Sequence, residues 1–244
     1  MLPLPLAPAI ALWTLGHLLV IILGFCPGLP ALVAVIARIV FCGRRRRAGE
    51  HSGFAFPISV EQLTRADMET MLRAHLEPDV HVVSVRPTGN ITDGVKGDKA
   101  VLEVEYSAAT ALPTQFFVKF QLQANLPVRL LCEATEAAQI EAHFYNRVAD
   151  RLPTSLRAPR CFFCDHCAAT GEFILLTELV NFGAARMLPS KHRVRDATTL
   201  DEQRLFVQCG AELNASLWGK GRAADGLPRY DETRQAFFAL AQVI

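Results

Sequence analysis

The chain has 244 residues, a formal net charge of +1 and a mean hydropathy of +0.22. This near-neutral charge excludes the strongly basic surface on which nucleic-acid binding depends, so we expect no nucleic-acid partner. The length allows one sizeable domain or two small ones, and seven cysteines without a regular framework favour a reducing compartment around the folded part.

The amino-terminal stretch carries most of the hydrophobicity. Residues 7–42 contain no acidic residue and a single arginine. Residues 9–26 form an apolar run that approaches the length of roughly 20 residues that a helix needs to cross a bilayer. Proline and glycine interrupt this run at 27–30. Residues 32–42 then form a second, shorter apolar run. We therefore expect residues 9–42 to associate with a membrane, as one kinked spanning helix or as a re-entrant hairpin. A buried hairpin, or a start codon assigned too far upstream, is the alternative.

The charges that flank this segment predict its orientation. Four arginines follow it at 44–47, and before it only the amino terminus is positively charged. The positive-inside rule then places the rest of the chain in the cytoplasm. A cleaved signal peptide would open with a charged region and a transit peptide would be rich in serine, whereas the first serine here is Ser52.

Composition divides the chain into a hydrophobic membrane segment (1–43), a basic and polar linker (44–58), a sheet-containing lobe (59–180) and a carboxy-terminal helical part (181–244). In the lobe, Ser59 and Gln62 fit a capping box and predict a helix over 59–76. Alternating apolar residues then predict three strands, at 80–85, 100–106 and 114–120. We therefore expect an α+β lobe in which an antiparallel meander follows a leading helix.

The connection between the first two strands, residues 87–98, is rich in glycine, asparagine and aspartate. Its backbone N–H groups are candidates to cradle phosphate oxygens, with Gly89, Asn90 and Thr92 as the residues in contact. Turns of this composition also commonly do no more than join strands, and the glycine spacing of known phosphate-binding loops is not present. Both interpretations stay open.

The strand at 114–120 contains the motif FFVKF, which places Lys119 on the same face as Phe117. The helix that follows carries Glu141 within an otherwise apolar stripe. A carboxylate on such a face costs roughly several kcal/mol unless it is paired, so we predict an ion pair between Lys119 and Glu141. The alternative is a lysine on an edge strand and an exposed glutamate on a helix whose register is misassigned.

A hairpin is predicted from strands at 158–164 and 172–180. It contains a cysteine cluster with one histidine, CFFCDHC, from Cys161 to Cys167. Structural zinc sites usually use two ligand pairs separated by a loop, and in an extended strand Cys161 and Cys164 would face opposite sides. We therefore predict small side chains that fill a hairpin, and no metal site of the usual geometry.

A strong helix is predicted over 199–218, where Thr199 and Glu202 fit a capping box and a glycine follows the last turn. It ends in the motif AELNASLWG. Beyond it, Asp231 begins another helix whose apolar stripe continues to Ile244, the last residue. Such a stripe needs a partner surface, so we expect a truncated product or a partial gene model.

Four stretches in this order resemble the small-molecule kinases of the aminoglycoside phosphotransferase and choline kinase superfamily, especially the ecdysteroid-kinase-like branch. They are FFVK, the E-x-x-F-Y helix from Glu141, the strand FILLTELV and the helix end AELNASLWG, and the resemblance covers about residues 59–219. FILLTELV resembles the family's hinge strand LLLEDL, with Glu178 in place and Leu179 replacing an aspartate. AELNASLWG resembles A-x-L-H-A-x-x-W, with Asn214 replacing the histidine.

The resemblance implies a protein-kinase-like N-lobe, made of an antiparallel sheet with a helix of the αC type, followed by the first helices of a helical C-lobe. It implies ATP and Mg²⁺ as cofactors. In this interpretation Lys119 grips phosphates, Glu141 holds Lys119, and the main chain near Glu178 receives adenine. The acceptor would be a hydroxyl of a small molecule of unknown identity.

The family's catalytic loop, His-Gly-Asp followed by asparagine, and its later metal-binding aspartate have no counterpart after the helix at 199–218. The stretch most similar to that loop, HRVRDATTL around Asp196, precedes the helix and lacks the asparagine. We therefore assign no catalytic residue and no metal ligand, and expect a membrane-associated kinase-like protein that is catalytically incomplete. The alternatives are a non-catalytic scaffold protein with a kinase-like lobe and a membrane protein with a zinc module.

Overall fold

A computed structural model describes residues 33, 37, 46–90, 98–121, 129, 132–133, 136–153, 155–156, 158–180 and 199–217. All of these except 33 and 37 belong to one compact unit, Arg44–Arg229. The predicted membrane segment, apart from two positions, and the predicted helix from Asp231 lie outside the described residues. Among the helices that are described, none has both the length and the apolar character that crossing a bilayer requires.

The described part is built around one five-stranded antiparallel sheet. Its strands are β1 (Val82–Asn90), β2 (Asp98–Tyr106), β3 (Gln115–Phe120), β4 (Cys161–Cys167) and β5 (Glu172–Glu178). They lie in the order β1-β2-β3-β5-β4. The α-helices whose bounds lie within the described residues are α1 (Arg65–Leu72), α2 (Ala137–His143) and α3 (Leu200–Leu217). The predicted α+β class with an antiparallel sheet is confirmed.

Side chains alternate along β3 as the motif FFVKF predicts. Phe116, Val118 and Phe120 are fully buried on one face of the sheet, where they form the main core with residues of α1. On the other face, Leu175 and Phe173 of β5 pack with residues of α2. The two faces are therefore covered by different helices, and Lys119 belongs to the face of α2 because it alternates with Val118.

The leading helix begins later than predicted. Ser59 precedes only a single 3₁₀ turn, Val60–Gln62, and its side chain caps nothing. The capping box is formed by Thr64 and Asp67, and α1 ends at Leu72 rather than at residue 76. Ser59 with Gln62 and Thr64 with Asp67 both fit the capping-box pattern. Asp67 also accepts two hydrogen bonds from Arg46, at 2.6 and 3.0 Å, and this long-range contact stabilises the cap at Thr64.

Two strands also differ from their predicted bounds, in each case at a register shift. β1 continues through Pro87 to Asn90, and the shift between Pro87 and Gly89 accommodates the proline, which has no N–H to pair. β4 runs to Cys167, with a shift between Cys161 and Phe163. Bulges of this kind insert a residue and change which face the following side chains occupy.

The predicted glutamate helix is interrupted. Regular α-helix ends at His143, a π-helical turn covers Phe144–Val148, and a 3₁₀ turn covers Ala149–Arg151 before Pro153. The wider π turn keeps Val148 buried while Asn146 and Arg147 remain exposed. By contrast, α3 matches its predicted bounds of 199–218 to within one residue at each end.

Candidate functional site

The predicted ion pair between β3 and α2 is present. The Nζ atom of Lys119 lies 2.7 Å from Oε1 and 2.5 Å from Oε2 of Glu141. The lysine side chain is 15% exposed and the glutamate side chain 30%. β3 pairs with β2 on one side and β5 on the other, so the alternative of an edge-strand lysine is wrong. The pair is partly shielded and yet open to a ligand.

The surroundings of Lys119 suit an anion. Its ammonium lies 5.8 Å from the centroid of the Phe173 ring, which is itself buried. A lysine has three N–H donors, and Glu141 is its only ion-pair partner within the described residues. The carboxylate therefore orients the ammonium while a donor remains for a further acceptor.

A second lysine stands beside the first. In the register of β2 with β3, Lys99 lies directly opposite Lys119, and Val101 lies opposite Phe117. Positions 99 and 101 alternate with the buried Ala100, so both point to the face of α2. Like charges that face each other across a strand pair are destabilising, so an anion bound near both ammonium groups would offset repulsion between them.

The glycine-rich connection is only partly described. Gly89 pairs with Val101 inside β1 rather than lying in a loop, and Asn90 pairs with Ala100 at the end of the strand. Thr92 lies outside the described residues. A Cβ atom at Gly89 would have no neighbour within 4 Å, so packing does not require glycine there. Gly89 on β1 is therefore separated from Lys119 on β3 by the intervening strand β2, which carries Val101.

Glu178 does not join the pair. Its carboxylate accepts a hydrogen bond of 2.9 Å from the backbone N–H of Arg160, and its position opposite Phe116 places it on the face of α1. Beside it lies a cleft of about 440 Å³ that Leu179 and Gln115 also line. The structure therefore brings together Lys119 and Glu141, with Lys99 next to them, and leaves the Glu178 carboxylate apart.

No family model, curated protein or solved structure matches the chain. The likeness to small-molecule kinases therefore rests on the four sequence stretches, and a function has to be inferred from this chain's own residues.

A polar cluster that sequence patterns did not indicate lies at β4. Residues 48–55, part of the predicted linker, form a small hairpin closed by a bridge between Ala48 and Ala55. The fully buried Asp165 carboxylate accepts hydrogen bonds from the backbone N–H groups of His51 (3.1 Å), Ser52 (2.8 Å) and His166 (2.8 Å) and from the Ser52 hydroxyl (2.5 Å). The hairpin is thereby fastened to the sheet.

Glycine is required within this hairpin. A Cβ atom at Gly49 would lie 2.0 Å from Oδ2 of Asp165, a distance at which atoms overlap. Beside it, burial lowers the pKa of His166, although the nearby Glu50 carboxylate acts in the opposite direction. The paired glycines at 49 and 53 were the sequence signal for a tight turn, but nothing local pointed to Asp165, which is more than a hundred residues away.

The cysteine cluster lies in the two cores. Cys161 and Cys164 both pack in the core on the face of α2, so the prediction that they face opposite sides is wrong, because of the bulge between Cys161 and Phe163. Burial, with the neighbouring Cys161 thiol and nearby negative charges, raises the pKa of the Cys164 thiol. Cys161, Cys164, Cys167 and Cys209 form no disulfide.

Proposed function

We propose that this chain is a membrane-associated small-molecule kinase-like protein whose lobe binds ATP on the face of α2. The observation that carries the proposal is the two-oxygen contact of Glu141 with Lys119 on the central strand. Phosphate oxygens are the ligands that a compact, oriented ammonium group binds well. Full-length relatives, by resemblance, would transfer the terminal phosphate to a hydroxyl group.

The position of the lysine supports phosphate binding. A charge that is 15% exposed interacts more strongly with an anion than a charge surrounded by water does. Glu141 keeps the ammonium in one place, which lowers the entropy cost of ordering it on binding. Lys99, opposite Lys119, supplies a second positive charge to the same face.

A cleft at the start of β3 and the end of β5 supports a place for the base. Glu178 lines it from the face of α1, whereas Gln115 alternates with Phe116 and lies on the face of α2. The cleft of about 440 Å³ beside Glu178 and Leu179 falls within the usual range for ligand pockets, roughly 300–1,000 Å³. Gln115, on its rim, is four residues before Lys119 on the same strand, which corresponds to about 13 Å. An extended nucleoside triphosphate spans a distance of that order.

Mg²⁺ would accompany the triphosphate, since this ion binds mainly through phosphates and water with few protein ligands. We assign no described residue as its ligand. Because the chain has no His-Gly-Asp loop to orient an acceptor hydroxyl, we propose that it binds nucleotide without completing phosphoryl transfer.

Calorimetric titration of the full chain in detergent with Mg-ATP tests the proposal. We expect the wild type to bind and Lys119→Met to weaken binding at least about tenfold, a loss of about 1.4 kcal/mol. Arg73→Met is the matched control, because this exposed residue at the end of α1 also loses one positive charge. Equal binding by the wild type and Lys119→Met, or no binding by either, would contradict the proposal.

A second candidate is a non-catalytic binding or scaffold protein. It is favoured by apolar side chains that α3 exposes, with Leu200 at 61%, Leu205 at 56% and Val207 at 72%. Helices that expose apolar residues in this way commonly mark interaction surfaces. A stable complex with another protein that does not respond to nucleotide would support the scaffold, whereas thermal stabilisation by Mg-ATP would support the kinase-like function.

A further inference from the structure

Three potential metal ligands converge where the hairpin of residues 48–55 packs against β4. The Nε2 atom of His166 lies 3.1 Å from Oε2 of Glu50. The rings of His51 and His166 meet edge to face, with centroids 5.9 Å apart. One potential ligand atom from each of His51, Asp165 and His166 lies within 4.8 Å of the others. The carboxylate in that group is the one of Asp165, and the Glu50 carboxylate adjoins the group through its contact with His166.

His166 is the buried member of this group. The residue is 5% exposed, and neither of its ring nitrogens has a hydrogen-bond partner within the described part of the chain. The contact of Nε2 with Glu50 is close but lacks the geometry of a hydrogen bond, so the carboxylate oxygen lies off the direction in which the nitrogen points. A buried polar nitrogen without a protein partner is uncommon and is usually met by an ordered water or an ion.

The separation of the two atoms suits a shared cation. Zinc binds nitrogen at about 2.0–2.1 Å and carboxylate oxygen at about 2.0–2.2 Å in tetrahedral geometry, which places two ligand atoms about 3.4 Å apart. The observed 3.1 Å is close to that value. His51 is exposed, and its ring meets that of His166.

Asp165 is a support for this site and not one of its ligands. Its two oxygens accept four hydrogen bonds, which fill the lone-pair positions of a carboxylate. Because those bonds come from the backbone of His51, Ser52 and His166 and from the Ser52 hydroxyl, they fix the chain segments that carry the ligands. Groups beyond the ligands commonly determine metal affinity in this way.

The neighbouring thiols are directed elsewhere. Cys167 belongs to the core on the face of α1, and Cys161 and Cys164 pack in the core beneath α2. The donor set is therefore two imidazoles and one carboxylate, which suits zinc and related transition-metal ions better than Mg²⁺ or Ca²⁺.

We propose that Glu50, His51 and His166 bind one Zn²⁺ ion, which joins the hairpin to the sheet and leaves a fourth coordination position for water. Three protein ligands with one open position are typical of zinc sites that bind an exchangeable group. His166 lies opposite Phe173 and thus on the same sheet face as Lys119, but the site shares no residue with the proposed nucleotide site and does not depend on it.

Zinc titration of the metal-stripped full chain, followed by calorimetry, tests the proposal. We expect one Zn²⁺ per chain, and at least about tenfold weaker binding in His51→Ala and in Glu50→Gln, because each removes one ligand. Both positions are exposed or half-exposed, so these variants should keep the fold. His81→Ala is the matched control, since that exposed histidine contacts Glu69.

A second readout separates this site from the cysteines. Bound to two imidazoles and a carboxylate, Co²⁺ should give visible ligand-field absorption without the near-ultraviolet band of a cobalt–thiolate bond. A thiolate band at one equivalent of metal would overturn the proposal. So would the absence of stoichiometric zinc, or zinc affinity unchanged in both His51→Ala and Glu50→Gln.

Discussion

At the residue scale, the contact between Lys119 and Glu141 is the feature that distinguishes this chain from an ordinary packed sheet. Removing one member of a shielded ion pair leaves the other charge without compensation, whereas replacing both by apolar groups of similar size is often tolerated. The two carboxylate contacts, at 2.7 and 2.5 Å, make the pair suitable for a double-mutant cycle.

We expect Glu141→Leu to destabilise the chain by about 2 kcal/mol, because it leaves the Lys119 ammonium against Phe173 without a counter-charge. Adding Lys119→Met should recover a large part of this loss. Urea unfolding of the two single variants and the double variant measures the coupling energy. If the two single effects add to within about 0.5 kcal/mol, the pair is not coupled and its proposed role in orienting the lysine is wrong.

The carboxyl group of Asp67 gives a pH-dependent prediction. Burial acts to raise its pKa, but hydrogen bonds from Arg46 and Thr64 outweigh burial and lower the pKa below the ordinary value. A carboxyl group with a lowered folded-state pKa stabilises the protein above its unfolded-state pKa, and that stabilisation is lost as the pH falls through the folded-state value.

We therefore expect the wild type to be more stable than Asp67→Asn at pH 7, and the difference to shrink once the pH falls below about 4, where the unfolded-state carboxyl takes up a proton. Urea midpoints of both proteins between pH 7 and pH 3 provide the check. A difference that stays constant over this range would show that the charge of Asp67 is not what stabilises the cap.

At the element scale, sequence patterns correctly predicted the features that depend on interactions between residues close together in the chain. The alternation of FFVKF, the inward glutamate of the following helix and the bounds of α3 depend on spacing within a few residues, and the structure agrees with each. Where the prediction failed, a distant residue decided the outcome. Arg46 selects the cap at Thr64 over the equally suitable pattern at Ser59, and Asp165 turns part of the predicted linker into a packed hairpin.

The two competing caps can be compared directly. Thr64→Ala should destabilise the chain by about 1 kcal/mol, because its hydroxyl accepts the hydrogen bond from the backbone N–H of Asp67. Ser59→Ala is the matched control and should change stability by less than about 0.5 kcal/mol, since its side chain caps nothing. Urea unfolding of the two variants distinguishes them, and equal losses would mean that the cap assignment is wrong.

At the scale of the whole molecule, the strand order β1-β2-β3-β5-β4 places β3 in the middle of the sheet. The lysine of a central strand is flanked by strands on both sides, and α2 covers its face with the glutamate that holds it. Sequence patterns predicted the strands and the pair but not this order, because strand order depends on long-range pairing and bulges that no short motif records.

Membrane association through residues 9–42 and a cytoplasmic lobe stay predictions, since they rest on a stretch that lies almost wholly outside the described residues. They would place the nucleotide face and the proposed zinc site on the same side of the membrane, where ATP is abundant. The two sites use different residues, so either one can fail its test without affecting the other.

Labelling with an acyl-phosphate derivative of ATP tests the central claim most directly, because such a reagent transfers its acyl group to a lysine held beside the bound phosphates. Mass spectrometry of the digested chain would then identify the modified residue. Lys119 should carry the label, with Lys99 as the second site, and excess Mg-ATP should suppress both. Labelling spread over exposed lysines, or label on Lys119 that Mg-ATP does not reduce, would contradict a nucleotide site on this face.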